Sequence, residues 1–201
     1  MKFDWRHFSR KPASWWDPAK PGPFEDSQLA WVRDRISGQR PDFVLEIGVG
    51  RGRASPWIRG QWKYVGLEVN RSLLVKAEHN GNSVLVGSGT QLPFRDGSFD
   101  AVAAFDVLMH IYERDEFLSE CRRVLRPGGI LIFNFLRRYS RGWRHYLIAF
   151  GLHPKRLWSA RDRRYDTVRA FLRQLRAHGF RAEVSMSETS VPLVFARVIS
   201  A

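Results

Sequence analysis

The chain has 201 residues, 44% of them apolar and 26% charged. That length and balance fit one globular domain with a sizeable core and exclude a disordered or fibrous chain. The formal net charge is +13. Much of the excess lies between residues 137 and 176, where twelve Lys or Arg face two acids, Asp162 and Asp166. An anionic partner and a solvated basic face both account for such a segment. Cys121 is the one cysteine, so no intrachain disulfide forms, which fits a cytoplasmic chain. No apolar run approaches the roughly 18 residues that span a bilayer. The first residues, MKFDWRHFSRKPASWW, lack the continuous apolar stretch of a secretory signal. The histidines show no zinc-like spacing, and no metal is expected.

Residues 1–25 mix prolines, charges and aromatics without a period, which predicts an irregular arm before a single domain over 26–201. DSQLAWVRDRISG (26–38) predicts a helix, with Leu29, Val32, Arg33 and Ile36 at helical spacing, Asp26 or Ser27 as cap and Gly38 as stop. FVLEIG (43–48) reads as a buried strand, followed by a loop and a helix to about Arg59. YVGLEV (64–69) is a second strand, RSLLVKAEHN begins a second helix, and SVLVG (83–87) is a third strand. FDAVAAF (99–105) is a fourth. ERDEFLSECRRVL (113–125) is an amphipathic helix with Phe117, Leu118, Cys121, Val124 and Leu125 on one face, stopped by Pro127-Gly128-Gly129. On that apolar stripe Cys121 reads as core rather than as a nucleophile. GILIFNFL (129–136) is a fifth strand. DTVRAFLRQLRAHG (166–179) is a helix whose stripe is Val168, Phe171, Leu172 and Leu175, and two strands, RAEVSMSE and PLVFARVI, finish the chain.

Strands alternating with helices predict an α/β, doubly wound, mostly parallel seven-stranded sheet. Short apolar strands suit a sheet buried on both sides. The last two strands are too close in sequence for a parallel crossover, so they should be an antiparallel pair.

The stretch VLEIGVGRGRAS (44–55) holds Gly48, Gly50 and Gly52. A dinucleotide fingerprint, G-x-G-x-x-G, would need glycine at 53, where Arg53 stands, and no G-K-[ST] follows to make a P-loop. The loop still lets a ligand lie against bare backbone and opens into a helix N-terminus, which favours a carboxylate as well as a phosphate. Glu68 closes the second strand twenty residues after Gly48. A carboxylate there is placed to accept hydrogen bonds from two ribose hydroxyls. The pattern asks for an adenosine-type ligand with no need of a pyrophosphate; the plain alternative is a surface glutamate at a strand end.

VLEIGVGRG, YVGLEVN, LPFRDGSFDAVAAFDVLMHI and ECRRVLRPGGILIFNF stand in the order and spacing of successive motifs of the class I S-adenosylmethionine-dependent methyltransferases. Over roughly residues 42–136 the chain resembles that family, which implies a Rossmann-like fold and S-adenosylmethionine as cofactor. The resemblance implies that Glu46, Gly48, Gly50 and Gly52 line the methionine part, that Glu68 holds the ribose, and that Val69 lies near the adenine edge. Ser88, beside Gly89, stands where the family often carries an acid that reads the adenine amino group. Adenine recognition would then lean on backbone groups and stacking.

Phe105 to His110 would pass over the methyl group. Asp106 or His110 can accept a proton from a hydroxyl or amine there, and His110 has the more suitable unperturbed pKa. A packed histidine capping the next helix is the plainer reading of His110. No D/N-P-P-Y-type run appears, which argues against the amino-methylating nucleic-acid enzymes. Substrate selection falls to the arm and to the basic insertion at 137–165. In that insertion Trp143, Leu147 and Phe150 share a helical face, with Arg138, Arg141 and Arg144 at its start. This suits an anionic, partly apolar substrate or an anionic membrane surface, against a core helix with a solvated basic end. The expectation is methyl transfer to oxygen or nitrogen of a small-molecule acceptor, anionic or lipid-like. The alternatives are RNA or protein methylation, with nucleic acid as partner, and a non-catalytic binding module that retains the fold.

Overall fold

The computed structural model describes residues 26–50, 52, 62–73, 83–134, 168–185 and 193–199. The predicted arm over 1–25, the helix expected to run to about Arg59, most of the helix expected from Arg71, and the basic insertion lie outside the described residues.

Helix α1 (Asp26–Ser37) precedes β1 (Phe43–Ile47), β2 (Lys63–Glu68), β3 (Val84–Val86) and β4 (Phe99–Ala104). A 3-10 turn (Leu108–His110), α2 (Arg114–Val124), β5 (Leu125–Asn134), α3 (Val168–Ala177), β6 (Phe180–Ser185) and β7 (Leu193–Val198) follow. The strands form one sheet in the order β3-β2-β1-β4-β5-β7-β6. Neighbours from β3 through β5 are parallel, and β7 runs antiparallel to both β5 and β6. The doubly wound sheet and the antiparallel final pair match the sequence reading.

Side chains alternate across the sheet, so each strand feeds two core layers. Leu45, Ile47, Val102, Leu131 and Phe133 face the layer covered by α2 and α3, with Phe117, Leu118, Cys121, Phe171 and Leu175 packed onto them. Val44, Ala101, Ala103, Ile130 and Ile132 face the layer where α1 lays Val32 and Ile36. Arg33, counted in the α1 stripe from its spacing, is instead exposed. Cys121 is fully buried, and burial pushes its thiol far above the ordinary range, as a core side chain requires.

Two local expectations are corrected. The sequence predicts that Pro127-Gly128-Gly129 separates α2 from a strand starting at Gly129. In the structure Leu125 already pairs with Phe99, and the register shifts before Ala101 pairs with Ile130. Arg126 to Gly129 therefore bulge from the ladder, which accommodates a proline with no N–H to give and Gly128 at φ +75°. The third strand, read as buried on both faces, leaves Leu85 46% and Val86 56% exposed. It is the edge of the sheet, so an apolar sequence there does not mean a covered one.

Polar side chains fix the loops around this frame. The Asp100 carboxylate accepts the N–H groups of Asp42 and Phe43, both at 2.9 Å, and pairs with Arg126 at 2.8 Å, tying the start of β1 to β4. Arg123 on α2 donates to the carbonyls of Leu92 and Phe94 and pairs with Asp96 and Glu120. The loop LPFRDG is thus pinned to α2, and the Arg123 guanidinium holds the Glu120 carboxyl below the usual carboxylate range.

Candidate functional site

The sheet order reverses between β1 and β4, because β2 and β3 lie to one side and β5 to the other. Ligands of doubly wound sheets bind at the carboxyl ends of the strands beside that reversal. Gly48, Glu68, Asp106 and Asn134 all stand at those ends.

The glycine loop leaves β1 with Gly48 at φ +75°, Gly50 at +57° and Gly52 at +78°. Side chains rarely adopt this left-handed backbone, which is why glycine recurs. The positions are not equivalent. A Cβ on Gly48 would stand 2.2 Å from Cγ2 of Val107, whereas among the described residues one on Gly50 would meet nothing nearer than the Gly48 carbonyl at 4.0 Å. Gly48 is a contact with the chain after β4. The N–H groups of Gly48 and Val49 donate to the Leu67 carbonyl, seating the loop on β2.

Glu68 ends β2 and is 7% exposed. One carboxylate oxygen accepts the Gly50 N–H at 2.8 Å and the other the Asn70 N–H at 2.9 Å. Burial raises its pKa above the ordinary carboxylate value, opposed by hydrogen bonds from the backbone of Asn70, Gly50 and Val69. A carboxylate has about four acceptor sites, so capacity for a ligand hydroxyl remains beside these backbone bonds. Asn70 is itself buried and accepts the Ser72 N–H at 3.0 Å, starting the turn after Val69.

Other predicted site residues divide. The Glu46 carboxylate, buried on the α1 side of the sheet, accepts the Tyr64 hydroxyl. Phe105 is buried in the α1-side layer. The Ser88 hydroxyl engages the Thr90 hydroxyl at 2.8 Å and accepts the Thr90 N–H at 3.3 Å, which shapes its own turn, and Gly89 packs tightly on Ile47 and Phe117, which an added Cβ would meet at 3.0–3.2 Å. His110 ends the 3-10 turn, half-buried, its N–H bonded to the Val107 carbonyl. Asp106 has φ +56° and is held by Asn134: the Asp106 N–H donates to Asn134 Oδ1 at 2.7 Å, and Asn134 Nδ2 donates to Asp106 Oδ1 at 2.8 Å. Arg138, Arg141, Trp143 and Arg144 lie outside the described residues. The sequence reading missed Asn70, Tyr64 and Asn134. The one available signal for Asn134 was a lone polar residue inside the apolar run GILIFNFL.

Residues 45–133 match the family described as Methyltransferase domain. The chain is 33% identical over 152 residues to a fatty-acid O-methyltransferase of Mycolicibacterium smegmatis, covering 71% of this chain and 53% of that one. It is 29% identical over 161 residues to a ubiquinone biosynthesis O-methyltransferase of Maricaulis maris, covering 68% and 62%. The chain spans between 39% and 62% of the first four curated relatives it matches. In fold it resembles the phosphoethanolamine N-methyltransferase 2 of Haemonchus contortus, with a TM-score of 0.67 at 15% identity over 94% of this chain and 57% of that one. Sheet order, domain match and relatives agree: residues 45–133 form a methyltransferase domain of the class I S-adenosylmethionine-dependent kind.

Proposed function

We propose that this chain transfers a methyl group from S-adenosylmethionine to an oxygen or nitrogen of a small molecule with an anionic or lipid-like part. The observation that carries the reading is the buried Glu68 carboxylate joined to the Gly50 N–H at the carboxyl ends of β1 and β2. These residues fit the cofactor. Glu68 offers lone pairs for ribose hydroxyls, and the loop at Gly50 presents backbone without a side chain. Val86, paired in register with Glu68 and 56% exposed, offers an apolar surface for an adenine ring. The cofactor supplies an electrophilic methyl on a sulfonium. Holding the acceptor in line with that methyl and excluding water is the protein's task, and alignment of this kind supplies roughly 7–11 kcal/mol. Asp106 and His110 stand on the turn after β4 and take up the acceptor's proton when it has one to lose. A carboxylate acceptor, already ionised at neutral pH, needs no base. The basic segment, with Arg138, Arg141, Arg144 and Trp143, supplies charge and apolar area for the acceptor.

The fatty-acid and ubiquinone-precursor chemistry named in the relatives supports a small, apolar acceptor. The test is transfer of labelled methyl to a panel of fatty acids, prenylated phenols, phosphorylated amines and transfer RNA. Label in one of the first three classes is expected. Label in RNA alone would overturn the small-molecule reading, and no S-adenosylhomocysteine binding by calorimetry would overturn the enzyme reading altogether.

A further inference from the structure

Asn134 is the last residue of β5, a wholly buried polar side chain at the end of an apolar strand. Both ends of its amide are committed to Asp106, 28 residues earlier. Only one amide orientation satisfies the pair, because the oxygen must accept the Asp106 N–H while the nitrogen faces a carboxylate oxygen. Asp106 in turn adopts a left-handed backbone, which a residue with a Cβ keeps when local hydrogen bonds of this kind hold it there. The next residue, Val107, places its Cγ2 where a Cβ of Gly48 would be. A chain of contacts thus runs from the end of β5, through the turn after β4, onto the first glycine of the cofactor loop.

We propose that Asn134 is a positioning residue of the methyl-transfer site. It holds Asp106 in the left-handed form, and that form both aims the Asp106 carboxylate and seats Val107 on Gly48. This inference rests on the methyltransferase reading above. Removing Asn134 lets the turn relax toward ordinary backbone, which lifts Val107 from the loop and weakens the cofactor before any acceptor is involved.

The experiment needs no known acceptor. S-adenosylhomocysteine is titrated calorimetrically into wild type, N134D and the swap N134D/D106N, with melting temperatures in parallel. N134D sets a buried carboxylate against the half-buried one of Asp106 and should weaken binding about tenfold or more. The swap exchanges the partners' roles, since an asparagine at 106 donates to an aspartate at 134, which still accepts the residue-106 N–H. It should bind within about threefold of wild type. If N134D does not fold, N134A against D106G replaces it. N134A should lose about tenfold in the native background and under twofold in D106G, where glycine needs no help to be left-handed. A swap no better than N134D, or an equal N134A loss in both backgrounds, overturns the positioning role while leaving the function intact. A wild type that binds no S-adenosylhomocysteine overturns both.

Discussion

Glu68 accepts the Gly50 N–H at 2.8 Å, so the acid at the end of β2 and the loop after β1 are one unit. The carboxylate that would hold a ribose also sets the shape of the backbone beside it. Glu68→Ala therefore removes two things at once, and S-adenosylhomocysteine should bind more weakly by roughly 1.5–3 kcal/mol. Ser88→Ala should cost less than about 1 kcal/mol, because the Ser88 hydroxyl already serves Thr90. Calorimetric titration of the two variants decides it. Equal losses would mean that ribose and adenine are assigned to the wrong residues.

Stability and function should diverge at the same position. Burial raises the Glu68 pKa in the folded chain above its unfolded value of 4.5. The folded state then holds the proton more tightly, so stability from this group is fully present below pH 4.5 and is lost as pH rises through the raised value. Glu68→Gln carries no charge but turns an NH2 toward one of the two backbone N–H groups that Glu68 accepts. Without ligand its melting temperature should therefore gain on that of wild type as pH rises from 4 to 7, whatever the offset between them, while its cofactor affinity falls.

Gly48 and Gly50 predict a ranking. Gly50→Ala meets no close contact among the described residues and should cost about 1–2 kcal/mol for its left-handed backbone. Gly48→Ala adds a collision with Val107 and should cost about 3 kcal/mol or more. Val107→Ala, which removes the colliding methyl, should recover part of the Gly48→Ala loss and none of the Gly50→Ala loss. Urea unfolding of the five chains gives the comparison.

Asp100 makes a prediction remote from the cofactor. Its loss leaves the Asp42 and Phe43 N–H groups without their acceptor and breaks the Arg126 ion pair, though Arg126 keeps its bond to the Gly97 carbonyl, so Asp100→Ala should destabilise by about 2–3 kcal/mol. Asp100→Asn keeps an acceptor for the N–H groups and should cost about half as much. Cofactor affinity, measured where each variant is folded, should change little.

The central strands were legible because a run such as FVLEI can be satisfied only by burial on both faces. The edge was not, since VLV at β3 has the same composition and no strand beyond it among the described residues. The start of β5 was hidden because Pro127-Gly128-Gly129 is a local breaker, while the Leu125–Phe99 pairing that overrides it is tertiary. At the site, the glycines and Glu68 could be read because positive φ and a strand-end acid leave a mark on residue type and spacing. Asn134 left almost none. Its partner is 28 residues away, and the left-handed turn it supports is occupied by Asp106, a residue that is equally at home elsewhere. The pinning of LPFRDG by Arg123 was illegible for the same reason, being a set of contacts between segments.

Cys121 is the only thiol in the chain, and α2 seals it against the sheet. A maleimide or disulfide reagent can reach it only when that helix lifts or the whole domain opens, so each opening leaves a mass tag at one known atom. Any compound that closes the folded state slows the tagging by the factor one plus its concentration over its dissociation constant, about a hundredfold at a hundredfold excess. The tagging rate thus becomes an intrinsic clock. It ranks candidate acceptors by occupancy alone, before a turnover assay exists for any of them.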